Sequence, residues 1–345
     1  MTNDQWQILL DVIAGKRVDP LPVGFIIDCP WLPAWADMST IDYFRDDHKW
    51  FHSNLQAIQR FPDVLFLPGF WSEFGMCTEP ASFGAKCAWH DDRMPFADKV
   101  IHAVSDIDRL KVPDPKTDGL TPFVINRLVR TQHDIEQAGH RVRFSVTRGP
   151  LNIASFLMGA TEFLIALRDD PKRIHQLLSI ITEFTITWLT LQKSCCPTID
   201  GLLLLDDIIG FCGPGDFDEF AYPYLKAIFD SQTVTVKMLH NDADGKVCAG
   251  YLADLGVNLF NFSFLHSLDE MKQWTSGKVA LLGNIPPRDC LALGSQQQIK
   301  EQTAQMLTTL NDPANVIFSC GGGMPDGVSS ENIDVFVNTV HNSTK

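Results

Sequence analysis

Two rhythms alternate along the chain. Short apolar runs, β-branched or leucine-rich, recur eight times, at 23–27, 64–67, 143–147, 201–205, 234–239, 257–260, 279–282 and 316–319; runs of this length bounded by polar or turn residues read as buried strands. Between them lie longer stretches with helical spacing, at about 6–14, 40–60, 120–138, 148–167 with a break near Gly159, 169–193, 216–230 and 244–255. The stops and starts agree with this division: Ser39 or Thr40 can cap a helix whose first turn holds Asp42, Phe61-Pro62 ends it, and Asp169-Asp170-Pro171 opens another. Eight strands each followed by helical sequence predict an α/β fold, a (β/α)8 TIM barrel, as a single domain over 1–345. One connection breaks the rhythm. Residues 68–99, after the second strand, carry Trp71, Glu73, Met76, Glu79, Phe83 and Trp89 with few strand or helix signals, and so long a loop is either functional or an aromatic cover for the barrel end.

In a barrel the reacting groups stand at the carboxyl ends of the strands. Those ends carry Asp28, Glu73 and Glu79, Arg148, Asp206-Asp207, His240-Asn241-Asp242, Asn261, Asn284 and Cys320. A doubly wound sheet would also put its site at carboxyl ends, but no strand here is followed by GxGxxG or GxxxxGK[ST], and Gly321-Gly322-Gly323 lacks the phosphate-binding lysine. His240, Asp242 and Cys320 are residue types that bind zinc. Against that reading, Asp242 can instead cap the next helix and His240 can serve as a hydrogen-bond donor. Of the two adjacent aspartates, Asp206 is assigned to the cavity and Asp207 to a cap or salt bridge. Glu79, beside Pro80 and aromatic residues in a packed turn, is favoured over Glu73 as a ligand or general acid. His48, His52, His102, His133, His140 and His175 lie among charges on helices or loops and read as solvated faces.

Bulk properties narrow the partners. The 345 residues are 45% hydrophobic and 20% charged, enough for a sizeable core. The net charge of −14, with no long basic run, disfavours nucleic acid. No run approaches the roughly 18 apolar residues of a membrane span, and Met1-Thr-Asn-Asp-Gln-Trp6 lacks the basic-then-apolar order of a secretion signal, so a cytoplasmic protein without membrane contact is expected. Nine cysteines without a CxxC fit neither a disulfide scaffold nor a zinc ribbon.

Three segments resemble the uroporphyrinogen decarboxylase superfamily: Arg148-Gly-Pro-Leu-Asn-Ile-Ala-Ser-Phe-Leu-Met-Gly159, Leu205-Asp-Asp-Ile-Ile-Gly210 with Phe220-Ala-Tyr-Pro-Tyr-Leu-Lys226, and Gly283-Asn-Ile-Pro-Pro287. The likeness spans about 150–332 and implies a single-domain barrel. Decarboxylases of that superfamily carry arginines after the first strand to hold substrate carboxylates, where this chain has Asp28-Cys-Pro-Trp-Leu-Pro33, an acidic and aromatic entrance that would repel a tetrapyrrole with eight carboxylates. The corrinoid-dependent methyltransferases carry His-X-Cys after strand five and a second Cys after strand eight as zinc ligands. His240 and Cys320 stand at matching places, with Asp242 at the first Cys position. A zinc ion with one thiolate fewer is the stronger Lewis acid, which suits an oxygen-bound methyl donor.

The resemblance therefore implies an O-demethylating methyltransferase. Zinc would be held by His240 and Cys320 with Asp242 or Glu79, and Asp206 or Glu79 would serve as catalytic acid. Trp71, Glu73, Arg148, Asn241 and Asn261 would seat a small methoxylated aromatic donor, and the acceptor would be cobalamin on a separate corrinoid protein. A homodimer is left open. The alternative is a metal-free decarboxylase in which Arg148 or Arg93 holds the carboxylate; a third reading is a binding module without chemistry.

Overall fold

A computed structural model describes residues 1–27 and 29–343; Asp28, one of the expected rim residues, lies outside the described residues. Apart from a short antiparallel ribbon of Cys87–Ala88 and Phe96–Ala97 in the loop after the second strand, the strands are β1 (Val23–Ile26), β2 (Val64–Leu67), β3 (Phe144–Arg148), β4 (Gly201–Leu205), β5 (Val236–Asn241), β6 (Leu259–Phe262), β7 (Ala280–Ile285) and β8 (Val316–Cys320). They form one parallel sheet in the order β2-β1-β8-β7-β6-β5-β4-β3, the cyclic order of a (β/α)8 barrel.

Period-two alternation splits the strand residues into two layers. Leu65, Leu67, Phe144, Val146, Leu203, Met238, Leu259, Leu282 and Ile317 share the interior cluster, which the N-terminal helix Asn3–Ile13 stoppers with Trp6, Leu9 and Val12. Residues of opposite parity, such as Phe25, Leu239, Phe260, Leu281 and Phe318, pack outward against the helices.

The curled sheet has a seam. No ladder joins β2 to β3 among the described residues, although both contribute to the same interior cluster. Backbone groups on a buried edge must still be paired. Gln192, from the helix Pro171–Cys195, does this with its side-chain amide: Val146 N–H donates to its Oε1 (3.0 Å), and its Nε2 donates to Val146 O (2.9 Å). One residue pair further along, Arg148 N–H donates to Glu79 Oε1 at 3.0 Å.

Several expected boundaries move. The 40–60 helix is two helices, Thr40–Arg45 and Asp47–Arg60, because Asp46 leaves helical geometry and caps the second by accepting from His48 N and Lys49 N. The expected helix at 244–255 shrinks to Lys246–Ala249 followed by turns. The 216–230 helix opens with a wide π turn at Phe217–Ala221, and the break near Gly159 appears as expected, at φ +97°. Strand five starts two residues later than read and runs on to Asn241, so His240 and Asn241 are strand residues. The 68–99 loop is packed: Phe70, Trp71, Phe74, Cys77, Glu79 and Phe83 are buried, and it contains the helical turn Thr78–Ser82. No single helix among the described residues is long and apolar enough to cross a membrane.

Candidate metal centre

His240 owes its position to strand parity. Val236 and Met238 face the interior, so two residues on the imidazole faces the same space at the carboxyl end. Parallel register sets Asn261 beside it on β6, and His240 Nδ1 lies 2.7 Å from Asn261 Oδ1. The amide cannot be reversed without loss, since Asn261 Nδ2 already donates to Leu282 O (2.8 Å) and Cys320 O (3.4 Å). Nδ1 must therefore be the donor to Oδ1, and Nε2 is the nitrogen left to face the cavity.

Two carboxylates meet that nitrogen. Asp207 Oδ1 is 3.5 Å from His240 Nε2 and accepts from Asp242 N–H at 3.0 Å. Ligand atoms of Asp207, His240 and Asp242 all lie within 4.8 Å of one another. Asp207 is in turn oriented by Asn152, whose Oδ1 accepts from Asp207 N (3.1 Å) and Ile208 N (3.2 Å) while its Nδ2 reaches Asp207 Oδ2 at 3.4 Å. Desolvation of the carboxyl within the crowded cluster, and then the neighbouring Asp207 charge, push Asp242 above its ordinary range, with His240 opposing, although the residue as a whole is exposed at the rim. The glycine turn after β8 passes alongside: Gly322, at φ +126°, would put a Cβ 3.4 Å from that of Asp242.

The two adjacent aspartates have exchanged the roles expected of them. Asp206 is fully buried and turned away from the cavity: its oxygens accept from Leu151 N (2.9 Å) and Asn152 N (3.1 Å), closing the N-terminus of the helix Pro150–Met158. Desolvation drives its pKa well above the usual carboxylate range. This seat exists because residue 149 is glycine; a Cβ there would stand 2.2 Å from Asp206 Oδ2.

Cys320 does not join His240 and Asp242. Along β8 it shares the parity of Val316 and Phe318, which face the outer layer, and its Sγ–H bonds to Gly322 O (3.6 Å) and Gly323 O (3.9 Å). Complete burial pushes its thiol up to about 12. Sequence spacing placed it at the right height on the wall but could not fix which way it faces. The converging set is thus Asp207, His240 and Asp242.

Glu73, Glu79, Arg148 and Trp71 form a second, buried group at the β3 end. Arg148 Nη2 bonds Glu73 Oε2 at 2.9 Å, its Nη1 is 3.6 Å from Glu79 Oε2, and its guanidinium lies 5.9 Å over the Trp71 ring. Two carboxylates already hold the guanidinium, so Arg148 does not stand open to a substrate carboxylate, and Glu79 is tied to β3 and not to His240. Arg93 is exposed beside His90. Asn241, expected to touch substrate, is fully buried and shapes its own turn by accepting from Ala243 N (2.9 Å). Asn261, expected likewise, acts on His240. Asn152, given no role from the sequence, lies within the resembling segment that opens at Arg148, and Asp207 was at hand as the neighbour of Asp206.

At the β1 end, Cys29, Trp31 and Leu32 are buried as an apolar plug, with Trp31 Nε1 donating to Val328 O at 3.0 Å. No arginine comes from this segment.

Comparison with known proteins agrees with the architecture. A family model described as uroporphyrinogen decarboxylase (URO-D) matches residues 5–343. Uroporphyrinogen decarboxylase of Pseudoalteromonas translucida is 23% identical over 301 residues, covering 83% of this chain and 81% of the relative. That of Vibrio campbellii is 24% identical over 306 residues, covering 84% and 82%. Among solved structures, a methyltransferase from Methanosarcina mazei superposes with a TM-score of 0.80 at 18% identity, covering 96% of each chain. A B12-independent methionine synthase from Shewanella sp. W3-18-1 in complex with selenomethionine gives 0.57 at 11% identity, covering 93% of this chain and 95% of that one. With its match running from residue 5 to residue 343, the chain belongs to the uroporphyrinogen decarboxylase (URO-D) family.

Proposed function

We propose that this protein is a zinc-dependent methyltransferase of the O-demethylating kind, passing a methyl group from a small methoxylated aromatic donor to the cobalamin of a separate corrinoid protein. The observation that carries the reading is the convergence of Asp207, His240 and Asp242 at the mouth of the barrel. The set fits a divalent cation: one imidazole and two carboxylates are hard-to-borderline donors, and three protein ligands leave a coordination position free for substrate, as catalytic zinc sites do. The crowding of Asp207 against Asp242, which raises the latter's pKa, is what a bound cation would relieve. The likeness in fold to the Methanosarcina mazei methyltransferase is consistent with this chemistry.

Zinc held there would supply Lewis acidity toward the ether oxygen of the donor, easing loss of the methyl group. The chain's own residues do the rest. Asn261 fixes the His240 tautomer, Asn152 and the Asp242 N–H aim Asp207, and the buried Arg148–Glu73–Glu79 group stiffens the wall where β2 and β3 fail to pair. The aromatic segment after β2, with Trp71 in the interior cluster, gives the donor ring an apolar neighbour.

The test is metal analysis of the purified protein, followed by incubation with cob(I)alamin and a panel of methoxylated aromatics, reading methylcobalamin absorbance. One zinc per chain, lost in His240→Ala, and methylcobalamin formation are expected. The names of the curated relatives favour a second reading, a carboxy-lyase. Protein that converts a carboxylic acid to CO2 equally well with and without chelator would replace methyl transfer with that reading.

A further inference from the structure

On the outer surface, the helix Asp47–Arg60 carries His48 and His52 one turn apart on one face. Their Nε2 atoms are 2.8 Å from each other while the ring centroids are 4.0 Å apart, so the two rings converge through their Nε2 edges. Both side chains are exposed. They line a groove of about 630 Å³ between this helix and Thr121–Gln137, with Asp134 and Gln137 on the far wall and Asp47 and Arg130 at one end.

We propose that His48 and His52 form a second, surface metal site that chelates Cu2+ or Ni2+. The geometry selects the ion. A metal about 2.0–2.1 Å from each of two nitrogens 2.8 Å apart subtends an angle of roughly 85–90°. That is the angle between neighbouring positions in a square-planar or octahedral shell, which Cu2+ and Ni2+ prefer; tetrahedral zinc needs the nitrogens about 3.3 Å apart. Copper also leads the affinity order for nitrogen donors.

In the free protein one ring donates its Nε2 proton to the other's lone pair. On binding, that ring carries its proton on Nδ1 instead, and both Nε2 lone pairs go to the metal, so no net proton is released. The first turn of a helix is an unfavourable place for a cation; the Asp46 carboxylate at the N-cap offsets this in part, while that of Asp47 is already paired with Arg127 and Arg130. No third His, Cys, Asp or Glu closes on the pair as tightly as in the barrel-mouth cluster among the described residues. The remaining positions are therefore left to water or an added donor.

The experiment is calorimetric titration of Cu2+, Ni2+ and Zn2+ into the full-length protein, alongside His48→Asn, His52→Asn and His240→Ala, with electron paramagnetic resonance of the copper form. The expected result is a copper site coupled to two nitrogens, binding Cu2+ and Ni2+ more tightly than Zn2+, beside a one-nitrogen copper signal from the barrel mouth that is absent in His240→Ala. Either surface variant should weaken it at least about tenfold and leave one coupled nitrogen, while His240→Ala leaves it intact. Because both residues are exposed, unchanged circular dichroism checks that the variants fold. Equal copper affinity and an unchanged two-nitrogen signal in His48→Asn or His52→Asn would overturn the assignment. Loss of this site in His240→Ala would also overturn it, by placing the metal at the barrel mouth.

Discussion

Asn261 decides which nitrogen His240 presents, and it does so through bonds that leave its own amide no freedom. Replacing it by Leu keeps approximate volume but lets the imidazole rotate and change tautomer. Zinc affinity should fall about 10–100-fold in a competition titration, with far less effect from changing Asn241, which faces its own turn. The carboxylates make a second prediction, about pH. The Asp242 pKa is raised above its ordinary 3.8, so between that value and its folded value the folded protein holds a proton that the unfolded chain has lost. Stability of the metal-free protein should therefore decline as pH rises through this window. Asp207→Asn removes one cause of the shift, and its urea-unfolding free energy should decline less over the same range; parallel profiles would show that Asp207 does not crowd Asp242. The sequence showed the residue types of this cluster, His240 and Asp242 among them, because polar groups at the end of an apolar run have no packing role. It could not rank Asp206 against Asp207. That choice depends on the approach of the helix Pro150–Met158, permitted by Gly149, which claims Asp206 for its own N-terminus.

The β2/β3 seam shows how a helix residue can stand in for a strand. Gln192 is 3% exposed and supplies both the acceptor and the donor that Val146 would otherwise find on β2. Gln192→Leu leaves a buried N–H and C=O without partners, at about 1–3 kcal/mol each, so a loss of roughly 2–6 kcal/mol in urea unfolding is expected. Gly149→Ala tests the neighbouring junction. Its Cβ collides with Asp206, and overpacking of this kind costs about 1–3 kcal/mol, read in the same assay. Eight strands were legible because parallel strands buried on both faces read as continuous apolar runs. Register and facing were not, since they depend on which strand lies alongside. Cys320 shows the consequence: its height on β8 was read correctly, but its parity sends the thiol to the outer layer. Helix boundaries failed where a side chain competes with the backbone, as Asp46 does in splitting one expected helix into two.

At the scale of the molecule, an ion bound at the barrel mouth would be linked to the stability of the whole fold, because His240, Asp207 and Asp242 converge only when β4, β5 and β6 are in register. The unfolded chain scatters these ligands, so zinc should bind the folded form and stabilise it by about 2.7 kcal/mol at a hundredfold excess over its dissociation constant. For 345 residues with a typical unfolding entropy this corresponds to a rise in Tm of about 4 °C. A chain of net charge −14 will also attract divalent cations without specificity, so the shift alone does not locate the ion. The variants do: the zinc-dependent rise should vanish in His240→Ala and persist in His48→Asn, while raised salt should suppress only the unspecific part. If the rise survived in His240→Ala, the stabilising ion would lie elsewhere, and the convergence of three ligands at the mouth would have to be read as a hydrogen-bonded acid cluster and not a metal centre.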